Sequence, residues 1–269
     1  MARVVASARW IASDFFAARF DGSYPQMVSA QGFSAPWLDP AADAYFKNVI
    51  IPTCAAAGDL GADNPGLFGI SFDLEIYGGP LLHVDGFSFS DAAATVLPEL
   101  AAVPAGERLA YLEDHGALKA YFAALEERAW KWGKSCREAV RAKAPNLELL
   151  LYAPAFPDSW FYRGFMRGLG TAEHPLVLLT YEAWADEPRR VLNGEGVSMV
   201  HLGGVINHHW TPDSYDDALV AAGKNNDGYW YLSFNDFSAI NPHPPTLHGA
   251  GSAYFTALDG ANAALDDAK

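Results

Sequence analysis

The feature that most constrains this chain is the order in which short apolar runs and helix-period segments follow one another. Runs at Leu67–Ile76, Leu147–Ala153, Leu176–Tyr181, Met199–Ile206 and Tyr229–Phe234 are each short enough for a strand. Between them, Gly116–Lys143 carries Leu118, Tyr121, Phe122, Leu125, Ala129, Trp132, Cys136 and Val140 at three- and four-residue steps and closes at Pro145, the pattern of an amphipathic helix. Ser214–Lys224 reads as a second helix, opened by Thr211, Pro212 and Asp213 and ended before Asn226, Asp227 and Gly228. Strands that feed helices that feed further strands require parallel crossovers, and a run such as Leu147–Leu151 fits a strand covered on both faces. The class is therefore α/β. Five such units, with no Gly-x-Gly-x-x-Gly and no phosphate loop, favour a (β/α)8 TIM-type barrel over a doubly wound sheet.

The N-terminal third fits this scheme less well. Arg3–Ala6, Gln26–Phe33 and Asn48–Ile51 read as strands, but Leu67 comes too early for three full βα units, which take about 90 residues. The early units are abbreviated or the barrel is incomplete. Residues 77–115, rich in Gly, Pro and small side chains, read as a long loop insertion with a short helix at Asp91–Leu97. No repeat or low-complexity tract divides the chain, so residues 1–269 are expected to form one domain.

Charge narrows the partners. Lys and Arg total 18 against 32 Asp and Glu, a net charge of -14, which repels polyanions such as nucleic acid. The nearest thing to a basic patch, Arg128 to Arg141 with Lys131, Lys134, Arg137 and Lys143, is spaced as the solvated face of a helix. Cys54 and Cys136 form neither a disulfide framework nor a metal-binding spacing. No apolar run approaches the roughly 20 residues of a membrane span, and the start lacks the unbroken apolar stretch of a signal peptide. As written the chain reads as cytoplasmic, or as secreted if a leader has been removed.

The most informative string is Gly69-Ile70-Ser71-Phe72-Asp73-Leu74-Glu75-Ile76-Tyr77-Gly78-Gly79. Alternation sends Ile70, Phe72, Leu74 and Ile76 to the covering helices and Ser71, Asp73, Glu75 and Tyr77 to the other face. Two carboxylates then lie about 6.6 Å apart along one face, near the strand end where barrels place their active sites. Such a pair does not ionise freely at both positions, so one pKa rises toward that of a general acid while its neighbour stays charged. Glycoside hydrolysis needs this division of labour. The structural alternative is a carboxylate pair held by an arginine or a backbone amide.

The string resembles the Asp-x-Glu that chitinase-like glycoside hydrolases of family 18 and their clan relatives carry at the end of barrel strand four. The resemblance implies that Glu75 protonates the glycosidic oxygen and that Asp73 orients the substrate's own N-acetyl group as nucleophile. Counting Leu67 as strand four, Leu179-Thr180-Tyr181-Glu182 falls on strand six, where the family has Met-x-Tyr-Asp, and Tyr229–Asp236 falls on strand eight, where the family has an aromatic floor. The family's two earlier acids are replaced here by Phe68 and Ser71, and Trp230 stands about two residues early. The same string is also similar to uncharacterised bacterial glycosidase-like barrels.

Without an N-acetyl group, the mechanism needs a second carboxylate, for which Glu182 is the candidate, with Asp236 behind it. Strict alternation puts Tyr181 and Glu182 on opposite faces, so both reach one site only where the strand ends or bulges. Asn207-His208-His209-Trp210 follows strand seven and offers hydrogen bonds and a stacking surface to a sugar. With His201, His83 or Asp73 it could instead start a metal site, but adjacent histidines on a loop lack the usual ligand spacing. Trp130 and Trp132 lie on the long helix and read as packing. Tyr77, Tyr152, Tyr181, Trp184, Asn207, His209, Trp210, Trp230, Asn235 and Asp236 stand at or near strand ends and are the candidate substrate contacts.

The leading expectation is thus a glycosidase acting on an oligo- or polysaccharide, with Glu75, Asp73 and Glu182 as its catalytic carboxylates, and no cofactor, metal, nucleic acid or membrane partner. Two alternatives stand beside it: a sugar-binding barrel without catalysis, and a metal-dependent hydrolase of the amidohydrolase kind, whose usual His-x-His on the first strand is absent.

Overall fold

The computed structural model describes residues 4–9, 27–28, 34–35, 43, 46–73, 88–152, 160–180, 194, 196–232 and 250–267, with backbone only for 4–9, 27–28, 34–35, 73 and 232. The chain divides into two compact units, residues 1–176 with 188–199, and residues 177–187 with 200–269.

The first unit holds three parallel strands in chain order: β1 (Val4–Arg9), β4 (Leu67–Asp73) and β5 (Glu148–Tyr152). Where a strand is expected over 26–33, the described residues are β2 (Met27–Val28), which pairs antiparallel with β3 (Ser34–Ala35); residues 26 and 29–33 lie outside the described residues. The strand expected at Asn48–Ile51 is helical instead: a π-helical turn, Phe46–Ile50, runs into α1 (Ile51–Asp63) with Pro52 in its first turn. Phe46 and Ile50 are its buried residues, one helical turn apart, and Phe46 stacks on Trp132 at 4.1 Å. The run of β-branched residues misled because burial here follows a spacing of four rather than two.

Residues 91–115 are largely helical rather than loop. Asp91–Ala94 (α2) is capped by the Ser90 side chain, and after two 3-10 turns comes α3 (Arg108–Asp114). Arg108 ties this segment together, donating to Phe89 O (2.7 Å), Val103 O (3.0 Å) and Asp91 Oδ1 (2.6 Å). Such internal partners are what allow a guanidinium only 4% exposed.

The long helix, α4 (Leu118–Arg141), buries the periodic face read from its sequence, from Tyr121 through Val140. Trp132 is a packing residue whose indole N–H donates to Asp43 at 2.8 Å. The basic residues divide by type. Lys131 and Lys134 make long ion pairs (3.8 Å) with Glu127 and Glu138, as a solvated face would, whereas Arg137 donates to the carbonyls of Gly168 and Gly170. It thereby satisfies the C-terminal end of α5 (Trp160–Leu169). Helices α4 and α5 meet backbone to backbone through Gly133, Gly164 and Gly168: a Cβ on Gly168 would lie 2.4 Å from Trp130 O and 2.5 Å from Lys134 N.

The second unit carries β6 (Leu176–Thr180, from Val177), β7 (Met199–Ile206, from Val200) and β8 (Gly228–Leu232) in that order, β7 and β8 being parallel. Between β7 and β8 runs α6 (Pro212–Asn225), opened by the predicted Thr211, whose side chain forms a reciprocal capping box with Ser214. With α7 (Gly251–Asp266) it encloses a core of Val205, Tyr215, Leu219, Tyr254, Ala257, Leu258 and Ala261.

Strands and helices alternating with parallel pairing make the chain α/β, in the element order of an incomplete (β/α) barrel. Closure by eight strands is not seen among the described residues. The strand count from the N terminus also changes. The strand at Leu67 is in direct register with β1, from Val5↔Gly69 to Arg9↔Asp73, so the strands expected at 26–33 and 48–51 do not stand between them in the sheet.

Candidate functional site

In the first unit, the register of three parallel strands defines one row at their C-terminal ends. Arg9 pairs with Asp73, and Asp73 with Tyr152. Neighbouring parallel strands are spaced about 4.8 Å apart, so these three Cα positions form a line across the sheet edge where α/β folds collect their ligands. The division of β4 into two faces holds where its side chains are described. Phe72 packs edge-on against Phe165 of α5 at 5.5 Å, while Gly69 lies against β5, where a Cβ would come within 2.7 Å of Leu150 Cδ1. Ser71 is 5% exposed and Tyr152 7%. Glu75 and Tyr77, the continuation of this face, lie outside the described residues, as does the Asp73 side chain.

The second unit organises its strand ends separately. Tyr229 and Tyr231 pack on the helix-covered core with Val205, which turns the intervening Trp230 to the opposite face, in register with Gly204. Because Gly204 has no side chain, the indole can cross β7, and its Nε1 donates to Thr180 O on β6 at 3.0 Å. Thr180 Oγ1 is 2.7 Å from His201 Nε2, and the His201 N–H donates to Asp227 Oδ2 at 2.8 Å. His201 and Thr180 are both fully buried, so this network fixes the end of β6, the residue before Tyr181 and Glu182. Burial first, and then the neighbouring Tyr231 and Asp259, push the Tyr229 hydroxyl up to about 12.

Beyond β7, Asn207–His209 form a 3-10 turn. Asn207 is fully buried and its Oδ1 accepts from Tyr215 at 2.5 Å. His208 and His209 are exposed, with rings 4.6 Å apart and nearly perpendicular, and Trp210 is 40% exposed. The Trp210 carbonyl accepts from the Tyr254 hydroxyl at 2.7 Å. Tyr181, Glu182, Trp184, Asn235, Asp236 and His83 lie outside the described residues. Among the described residues, no three His, Cys, Asp or Glu side chains come together as a metal site, and no helix is long and apolar enough to cross a membrane.

Sequence reasoning missed Arg9, because the first strand was read as ending at Ala6. Continuing the β-branched and small-residue pattern to Arg9 would have found it. It also missed Thr180, Tyr215 and Tyr254, whose partners are 8 to 50 positions away and leave no local signal.

No protein-family model matches the chain, and no curated protein matches it significantly. Among solved structures it is similar in fold to a crystal structure of an agarase, with a TM-score of 0.53 and 15% sequence identity over 98% of this chain. The chain spans 43% of the agarase's length.

Proposed function

We propose that the chain is an O-glycosyl hydrolase acting on an oligo- or polysaccharide. The observation that carries this reading is the register row Arg9, Asp73, Tyr152 at the C-terminal ends of parallel strands, with Glu75 two positions beyond Asp73. The fold likeness to an agarase supports it. In this reading Asp73 is the ionised partner and Glu75 holds the proton, the division of labour that two neighbouring carboxylates need. Glu75 then donates it to the glycosidic oxygen as the bond to the anomeric carbon breaks, and Asp73 orients substrate or stabilises the positive charge on the sugar. Glu182 is proposed as the second carboxylate. It would act directly as nucleophile at a separation of about 5–5.5 Å from Glu75, or through water at about 6.5–9.5 Å.

Glu75→Gln should lower turnover at least about 100-fold on whichever substrate a screen of aryl glycosides, agarose, chitin and other polysaccharides identifies, with substrate binding largely retained. Full activity in that variant would refute the assignment. If the substrate's N-acetyl group assists, a thiazoline inhibitor binds and Asp73→Asn is nearly as damaging. Failure of both leaves the two-carboxylate route. A second reading is a sugar-binding barrel without catalysis, in which the residues of this register row are structural and Glu75 has no proton to give. That protein would bind glycans without cleaving any substrate of the screen.

A further inference from the structure

We infer that the turn carrying His209 and Trp210 is a prebuilt stacking platform for a neutral pyranose chain, held in place by Tyr254 and Tyr215. The inference takes only its ligand class from the glycosidase reading. A large side chain 40% exposed on a turn is ordinarily mobile, and ordering it on binding costs affinity. Here the backbone part of that ordering is already done. The Trp210 N–H closes the turn on Asn207 O (3.2 Å), the Trp210 carbonyl accepts from Tyr254 (2.7 Å), and Asn207 Oδ1 accepts from Tyr215 (2.5 Å). Tyr215 and Tyr254 are fully buried and meet edge to face at 5.1 Å, so both hydroxyls are aimed from one rigid core. Directly after Trp210, the Thr211 capping box starts α6 and fixes the other side.

Thus four hydrogen-bonded features converge on a residue that is itself left open. Asn207 is an anchor here, since its side chain is sealed from solvent and its oxygen is taken by Tyr215. The exposed groups of the platform are the indole face of Trp210 and the imidazole of His209, which match the C–H face and hydroxyl edge of a pyranose. A net charge of -14 weighs against a polyanionic sugar chain and in favour of a neutral one.

The test is calorimetric titration of the full chain with agaro-, chito-, cello- and xylo-hexasaccharides, with an oligogalacturonate as the acidic probe. Trp210→Ala should weaken the best neutral ligand about tenfold or more, His209→Ala several-fold, and the exposed Leu60→Ala, on α1, not at all. Tyr254→Phe, which contacts no ligand, should weaken it several-fold with an unchanged far-UV spectrum. Unaltered affinity in Trp210→Ala, equal weakening in Leu60→Ala, preference for the acidic probe or no binding by the wild type would each overturn the platform. Unaltered affinity in Tyr254→Phe would overturn its support. Platform-dependent binding in a protein that cleaves no substrate, or full turnover in Glu75→Gln, would refute the catalytic reading and leave the platform standing.

Discussion

Gly168→Ala tests the packing that supports the strand ends of the first unit. The added methyl would lie 2.4 Å from Trp130 O, 2.5 Å from Lys134 N and 2.7 Å from Gly133 Cα, where ordinary contact begins near 3.4 Å. All three obstacles are backbone of α4, so no side chain can swing aside, and the helices must separate by about 1 Å locally. Overpacking of this kind costs about 1–3 kcal/mol, and here the upper end applies. Alanine returns about 1 kcal/mol of helix propensity over glycine. The net loss is about 2 kcal/mol, a fall in melting temperature of about 4–8 °C. Gly260→Ala is the matched control: Gly260 lies in α7, and nothing stands within 4 Å of its Cβ position, so propensity acts alone and the melting temperature should rise by about 2–4 °C. Thermal melts followed by far-UV circular dichroism measure both. A Gly168→Ala protein that melts at or above the wild-type temperature would refute the backbone contact between α4 and α5.

Arg9→Gln removes the charge of the residue in register with Asp73. The acid limb of the kcat/KM profile should move upward, and an unmoved limb would remove Arg9 from the proposed chemistry. Arg108→Met leaves the buried carbonyl of Phe89 and that of Val103 without their donor, and should cost about 2–4 kcal/mol in denaturant unfolding; a loss under 1 kcal/mol would show that water replaces the guanidinium. At alkaline pH the fold should weaken. Tyr229, raised to about 12, contributes stability that is complete below pH 10 and is lost as pH climbs toward 12, and Tyr231 and the buried Cys136 thiol, both also raised, act in the same direction. Melting temperatures between pH 9 and 11.5 should therefore decline, and less steeply in Tyr229→Phe.

How much was legible depended on whether a signal was local. The long helix was readable from Leu118 onward because its buried side chains recur every three or four residues, and Thr211 was readable because a cap satisfies donors within its own first turn. On β4 alternation sends Phe72 to the covering helix, where it meets Phe165. Asn48–Ile51 failed because a short β-branched run has the same composition in a strand and in a buried helical turn, and only the stacking of Phe46 on Trp132, 86 positions away, decides between them. The partners of Asp73 were hidden for the same reason, since register joins Arg9 and Tyr152 to it across 64 and 79 positions.

The sequence by itself determined the α/β class, the main helices and the spacing of Asp73 and Glu75, because each depends on backbone periodicity or on groups a few bonds apart. Tertiary structure alone decided that the strand at Leu67 pairs with the first strand, that Arg9 comes into register with Asp73, and that the Trp210 carbonyl accepts from a tyrosine of another helix. These are contacts between distant segments, chosen by packing and hydrogen-bond satisfaction over the whole unit, and no local pattern encodes which segments meet.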